Sequence, residues 1–539
     1  MYLPVMKYQD GIGKVTQVKF GGLNRTAGAG DGDLTDMLNL TSDHYPVLSV
    51  RPPRYLHKIL ADPGGIYAWD KLCWVDGEGF YYDGKRKGTV TRGQKVFGHV
   101  GAYIVILPDK AYYNLVTDTF GSLEARWSGQ ELYFGNGKLY EEEAAANRIR
   151  AEGIDWNDYF RAGDAVTISG CTVNPGNNMT PIIREIDGDS LYFDENIFTL
   201  LDGKEYVEGG RLQISRDVPD LKFVCENGGR LWGCTDAAYY CCCPNDPFNW
   251  NVYAGLDADA WTVPSGSAGA FTGVVAYKGY PAFFKEEIIH KVYGSVPSAF
   301  SVQDSATLGL AEGSAGSLAV AGEMLFYLNR RGIMAYGGGI PQPVCEAFGS
   351  EHYKQAVAGS DGLKYYVSMC DELGRWGLYV YDTQRRLWHK EDDTHALGFA
   401  LSQGCLYMLN DKGEIWIVGD PAEVPPGCQP ESAIAWLAEF ADSTLESPNK
   451  KGVTKLQLRL ELEPGARAQV RIQYDSDGRW HRFGRELGEG VKRSYYLPVI
   501  PRRCDHFRIR IDGVGQCKIH SMAIEAGSGS EYKTTGRRN

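Results

Sequence analysis

The sequence predicts an all-β protein: a β-propeller of six or seven blades, with an inserted small β-barrel and a C-terminal antiparallel β-sandwich. Three observations carry this. Turn formers and aromatics are abundant, with 66 Gly, 24 Pro, 33 Tyr, 20 Phe and 12 Trp in 539 residues, a composition that suits many short strands joined by tight turns. Seven clusters of short apolar strands recur at roughly 35–55 residues, the spacing of propeller blades. Near the C-terminus the strands alternate apolar and polar residues strictly, which means one wet face and one core face.

Residues 1–60 read as an extended arm. Gly21-Gly22-Leu23-Asn24 and the Gly-rich stretch to Asp33 are followed by Arg51-Pro52-Pro53-Arg54, which cannot continue a helix. A disordered leader is the competing reading, but Met37, Leu38, Leu40 and Tyr45 are anchors such a leader would not need. Residues 61–123 and 221–420 carry the blades. Asn227-Gly228-Gly229, Lys278-Gly279, Ala321-Gly322 and Gln403-Gly404 separate apolar pairs as hairpin turns that require positive φ. A pair of packed sandwiches competes with the propeller here. Residues 124–220 break the rhythm. Tyr140–Glu152, Ala-rich with acids first and bases later, predicts a helix, and the short strands after it predict the small barrel. Residues 421–430 (PAEVPPGCQP) read as a linker, 431–527 as the sandwich, and 528–539 as a flexible basic tail.

Hydrophobic residues make up 43% and charged residues 23%, ordinary globular values that exclude intrinsic disorder. No apolar run approaches the roughly 18 residues of a membrane helix, and Met1–Asp10 shows no secretory signal. The 13 Cys, with three consecutive at Cys241–Cys243, fit reduced thiols of a cytoplasm better than a disulfide framework. Charge is uneven. The net is −12, yet residues 448–539 carry 19 Lys/Arg against 10 Asp/Glu, so the remainder stands at −21.

Chemistry is sparse. The ten His form no H-E-x-x-H, and no Walker A loop, G-x-S-x-G elbow or dinucleotide fingerprint is present. Asp187, Asp189 and Glu195 depart from calcium-loop spacing and read as a solvated turn. The expectation is therefore no enzyme: no catalytic residue, no cofactor and no metal. The candidate site is instead a docking surface for an acidic partner, formed by Arg459, Arg502, Arg503, Arg508 and Arg510 of the basic end, of which Arg459, Arg508 and Arg510 sit on the polar face of alternating strands. A merely solvated face is the plainer alternative.

The order of arm, interrupted propeller and terminal sandwich resembles the tail nozzle or hub proteins of short-tailed bacteriophages, of the packaged-DNA stabilisation type. Stretches that look similar are Phe20–Asn24 through Met37–Leu40 to Tyr45–Leu48 and Arg51-Pro52; Val275–Tyr280 with Phe283–Lys285 and His290–Gly294; and Pro501–Phe507 with Gly515–Ser521. The resemblance implies a structural virion protein of the tail, assembled in the host bacterial cytoplasm. Its copies would form a ring of six below the portal and adaptor proteins, contact other tail components or fibres, and pass double-stranded DNA non-specifically through the lumen. The acidic body is compatible, since it disfavours sticking of a polyanion, and the arm would reach to a neighbouring copy. A glycan- or receptor-binding propeller of a tail tip or cell surface is the alternative, with a carbohydrate-active hydrolase behind it.

Overall fold

The computed structural model describes residues 13–140, 144–445, 450–488 and 490–528. It is all-β: ten sheets, every strand pairing antiparallel, and among the described residues no α-helix, only five 3₁₀ turns. The chain forms two compact units, one from 61–315 and the other from 1–60 with 316–539.

The first unit holds four four-stranded meanders, starting at Pro63, Val96, Phe223 and Gly273. The second holds three more, starting at Ala319, Tyr353 and Ala396. Three of the four predicted turns form as their residues dictate; the fourth shifts by one residue, with Ala321 paired to Met324 and Gly322 and Glu323 taking positive φ between them. Gly228 and Gly229 both take positive φ between the paired Asn227 and Arg230, as do Lys278 and Gly279 between Tyr277 and Tyr280, and Gln403 and Gly404 between Ser402 and Cys405. These are two-residue turns whose twist matches that of the strands they join. The three consecutive cysteines follow the pleat: Cys241 packs among Trp232, Phe271 and Phe283, and Cys242 among Leu231, Phe248 and Trp250. All 13 thiols are free.

Between the second and third meanders lies the insert. Its sheet runs in order from Thr167–Ser169 through Tyr206–Arg216, Ala125–Lys138, Ala145–Arg150 and Ser190–Phe193 to Glu185–Asp187. The chain entering that last strand turns back on the first, with Val166 N–H donating to the Pro181 carbonyl and Ile168 N–H to that of Met179. The sheet thus closes on itself around Trp127, Leu132, Phe134, Trp156 and Phe193. The helix expected over Tyr140–Glu152 is not formed. Residues 141–143 lie outside the described residues, and Ala145–Arg150 is a strand paired with both Ala125–Lys138 and Ser190–Phe193. Burial of Ala146 and Ile149 in the barrel outweighs the helix propensity of three alanines.

The expected arm is the larger correction. Its described part is woven into its own chain as β1 (Lys14–Gln17), β2 (Leu34–Leu38), β3 (Leu40–Thr41), β4 (Leu48–Val50) and β5 (Tyr55–Ile59). β1 and β4 pair with Cys517–Ser528, and β2 pairs with Ala435–Phe440. The sandwich is therefore not confined to 431–527. Its seven-stranded sheet takes in β1, β3 and β4, and its five-stranded sheet takes in β2. β5 supplies the fourth strand of the meander that starts at Ala396, pairing Leu56 with Trp416 and Tyr55 with Ile417. The end of the expected linker, Gln429–Pro430, adds to β5 in turn. The expected tail, beyond Ser528, lies outside the described residues.

What pins these crossings is a buried charge cluster at the Arg-Pro-Pro-Arg segment. The Arg54 guanidinium reaches Glu391 and Asp392, each at 2.6 Å, and Arg51 forks onto Glu431 at 2.8 and 3.1 Å. Arg51 also donates to Asn39 Oδ1 at 2.8 Å, while its carbonyl accepts from Gln516. Burial opposes the Arg54 charge, but Asp392 and Glu391 overcome it and raise its pKa. Removing one partner of such a buried cluster strands the other charges, at about 3–5 kcal/mol. Arg54→Ala is therefore expected to lower the unfolding free energy in urea by that much, read by tryptophan fluorescence; a change under about 1 kcal/mol would show that the cluster does not hold the segment.

Candidate binding cleft and arginine face

In the second unit a cleft of about 910 Å³ opens among the last two meanders and the N-terminal segment. Its walls are almost wholly polar. Arg25 and Asp36 come from the N-terminal segment, and Glu351, Asp371, Arg375, Trp376 and Tyr379 from the meander starting near Tyr353. Lys390, Asp392 to His395, and Asn410 to Lys412 complete it. Trp376 and His395 stack at 3.8 Å with 16° between their planes.

The carboxylates are held by cations. Arg25 pairs with Glu351 and lies 3.8 Å from Asp36; Arg375 bonds Asp371 at 2.8 Å, Lys390 bonds Asp393 at 2.7 Å, and Arg54 bonds Asp392. The backbone N–H of Arg375 lowers the Asp371 pKa. Burial would raise that of Asp392, but Arg54 and the Thr394 hydrogen bonds bring it below the ordinary value. Both carboxylates are thereby held in their charged, hydrogen-bond-accepting form. The arrangement offers fixed donors and acceptors around an aromatic pair.

The five arginines expected to make one docking surface are dispersed. Arg459 is exposed between the buried Leu458 and Leu460 of the seven-stranded sheet, and so points away from the sandwich core. Arg508 and Arg510 alternate with buried Phe507, Ile509 and Ile511 of the five-stranded sheet, and point out of the opposite face. Arg503 pairs with Gly452, and Arg502 lies 3.4 Å from Asp477 and 5.3 Å from the Tyr474 ring. Arg508 is engaged internally: its guanidinium takes both Asp442 oxygens at 3.0 and 2.9 Å and Glu439 at 2.9 Å. Alternation gave Arg459, Arg508 and Arg510 an outward direction but could not say which sheet carried each.

Register assembles a different set, not singled out by sequence. In the five-stranded sheet Arg471 stands directly opposite Arg482 on one side and Arg510 on the other. Arg467 and Arg485 line the same groove of about 720 Å³, with Asp512 bonding Arg471 at 2.8 Å. Like charges directly across neighbouring strands destabilise a sheet; here Asp512 stands between Arg471 and Arg510, at 2.8 and 3.8 Å, and Glu439 lies 3.8 Å from Arg510.

No protein-family model matches the chain, and no curated protein matches it. Among solved structures the chain is similar to BamB from Moraxella catarrhalis, at 10% identity over 68% of this chain and 97% of that one, with a TM-score of 0.35. It is also similar to an exo-beta-1,3-galactanase from Phanerochaete chrysosporium, at 8% identity over 56% and 94% with a TM-score of 0.22. A glycoside hydrolase family 43 arabinoxylan arabinofuranohydrolase from Bacillus subtilis follows at 9% identity, 56% and 94%, and a TM-score of 0.15. At these TM-scores the likenesses carry no argument about activity or partner.

The internal pairing separates Arg508 from Arg459. Arg508→Glu places a carboxylate beside Asp442 and Glu439 and is expected to cost about 1–2 kcal/mol in chemical denaturation, whereas Arg459→Glu stays within about 0.5 kcal/mol. Equal effects would mean that the Arg508 fork contributes nothing to the fold.

Proposed function

We propose that the protein is a β-propeller binding scaffold whose polar cleft takes a polyhydroxylated ligand, a glycan in the first instance. Its seven meanders are the blades, and β5 completes the last of them. The observation that carries this reading is the cleft itself: a stacked Trp376–His395 pair among carboxylate, guanidinium and ammonium groups already fixed by one another. Sugars are bound by aromatic surface and by preorganised hydrogen-bonding groups in this way.

A tail nozzle ring is the second reading, and two observations favour it. The described order of blades interrupted by a barrel and then a terminal sandwich agrees with the later part of the order that the resemblance implies, while the N-terminal segment departs from the expected arm. The Arg467–Arg471–Arg482–Arg485–Arg510 face also has a complement in the chain's own acidic remainder, at −21. A basic face meeting an acidic one on the next copy is a head-to-tail contact, the kind that generates rings when the rotation closes. The N-terminal segment, spent inside its own chain, is not the linker between copies in this scheme.

One pair of measurements separates the readings. On a glycan array the wild-type protein is expected to retain a defined glycan, with affinity falling at least about tenfold in Trp376→Ala. An array without hits, together with a ring mass in mass photometry that dissociates as salt rises, would overturn the cleft reading in favour of the ring.

A further inference from the structure

The fourth meander carries a constellation that neither reading uses. His290 lies in the strand Ile288–Tyr293 and Asp304 in Ser301–Ala306, and the two are register partners. Side chains directly opposite in an antiparallel pair share one face, and the Asp304 Oδ1 accordingly sits 2.5 Å from His290 Nδ1. The His290 ring is buried, edge-on to Tyr239 and Phe271. Its other nitrogen, Nε2, faces Ser267 Oγ at 3.2 Å. Ser267 lies in the Gly- and Ala-rich turn that follows the strand Trp261–Pro264, where Gly266, Ala268, Gly269 and Ala270 are all exposed.

We infer that Ser267, His290 and Asp304 form a nucleophile, base and orienting group able to cleave a small acyl ester. Asp304 accepts the Nδ1 proton and so fixes the tautomer whose Nε2 lone pair accepts from the serine hydroxyl. This is the mutual geometry by which such a unit is recognised, independently of fold and of chain order. Burial of the ring lowers the His290 pKa despite Asp304, which keeps the imidazole neutral and basic at pH 7.

Lys285 adds a charge at the same place. Its side chain is buried, and its ammonium donates to the Ser267 carbonyl at 2.7 Å and to Ser265 Oγ at 3.0 Å, with Ser265 Oγ in turn 3.3 Å from Ser267 Oγ. These bonds hold the Ser267 backbone and, through Ser265, its hydroxyl in place beside His290.

In the step, Ser267 Oγ bonds to the ester carbonyl carbon as its proton passes to His290 Nε2. The C–O bond to the alcohol then breaks, and the alcohol leaves with that proton. Water, deprotonated by the same nitrogen, releases the acid and restores the serine. The exposed turn bears only small side chains around Ser267, so an ester carried by a molecule that approaches from outside can reach it, an acetyl ester being the smallest probe.

The test uses the full chain. A fluorophosphonate probe is expected to add once, with the adduct mapped by peptide mass spectrometry to Ser267, and p-nitrophenyl acetate is expected to turn over. Ser267→Ala and His290→Gln each lose at least about 100-fold in turnover. Circular dichroism and melting of Ser267→Ala match wild type, since only a part-exposed hydroxyl is removed. Asp304→Ala lowers kcat with KM unchanged, and Asp304→Glu recovers part of the loss, which marks a positioning role. No adduct, an adduct at another residue, or turnover that persists in folded Ser267→Ala would overturn the inference.

Discussion

The buried pairing of Arg51 and Arg54 with Glu391, Asp392 and Glu431 is the constraint on which the second unit depends. It lies where three pieces of chain meet: the N-terminal segment, the last strand of the meander that begins at Tyr353, and Glu431 on the way into the sandwich. Each has an apolar face of its own, but apolar contact is non-directional and leaves register open. Charges taken out of water demand specific partners, because an unpaired one costs several kcal/mol. The cluster therefore fixes the point at which β4 ends and β5 begins. From that point β5 reaches Glu414–Val418, and Glu431 starts the return into the sandwich. The two prolines between the arginines keep the segment extended, so both guanidiniums can be presented along it.

Much of this fold was legible in the residues. The two-residue turns could be placed because Gly, Lys-Gly and Gln-Gly supply the positive φ that such turns need. The strict alternation of Lys455–Leu462 and His506–Ile511 located the core face of each sandwich sheet. What escaped was long-range pairing. Nothing local in Lys14–Gln17 says that it pairs with Met522–Glu525, and nothing in Tyr55–Ile59 says that its partner lies more than 350 residues on. Tyr140–Glu152 misled for a related reason. Its alanines favour a helix in isolation, and burial against a barrel that the local sequence does not announce decides otherwise.

The candidate sites divide along the same line. Of the five arginines expected to dock a partner, Arg459, Arg508 and Arg510 were legible as outward-pointing, which alternation can show; Arg502 and Arg503 lie outside any alternating run. Their separation onto two faces, and the gathering of Arg471, Arg482 and Arg510 into one row, follow from register, which alternation does not fix. The Trp376–His395 stack joins the third strand of one meander to the first residues before the next, and the Ser267–His290–Asp304 unit joins a turn to two adjacent strands. Both are products of folding, and neither has a spacing that a motif search would recognise. A scaffold built from many short strands can place such groups at its loops while its cores stay apolar.

The central claim is that the N-terminal segment completes its own chain. Hydrogen exchange followed by mass spectrometry, run on the full chain across a hundredfold range of concentration, tests it most directly. The account predicts that the amides of Tyr55–Ile59 are protected together with those of Glu414–Val418 and to the same degree at every concentration, as one cooperative unit. Exchange of Tyr55–Ile59 at the rate of an open chain in the dilute protein, with protection appearing only as copies associate, would contradict it.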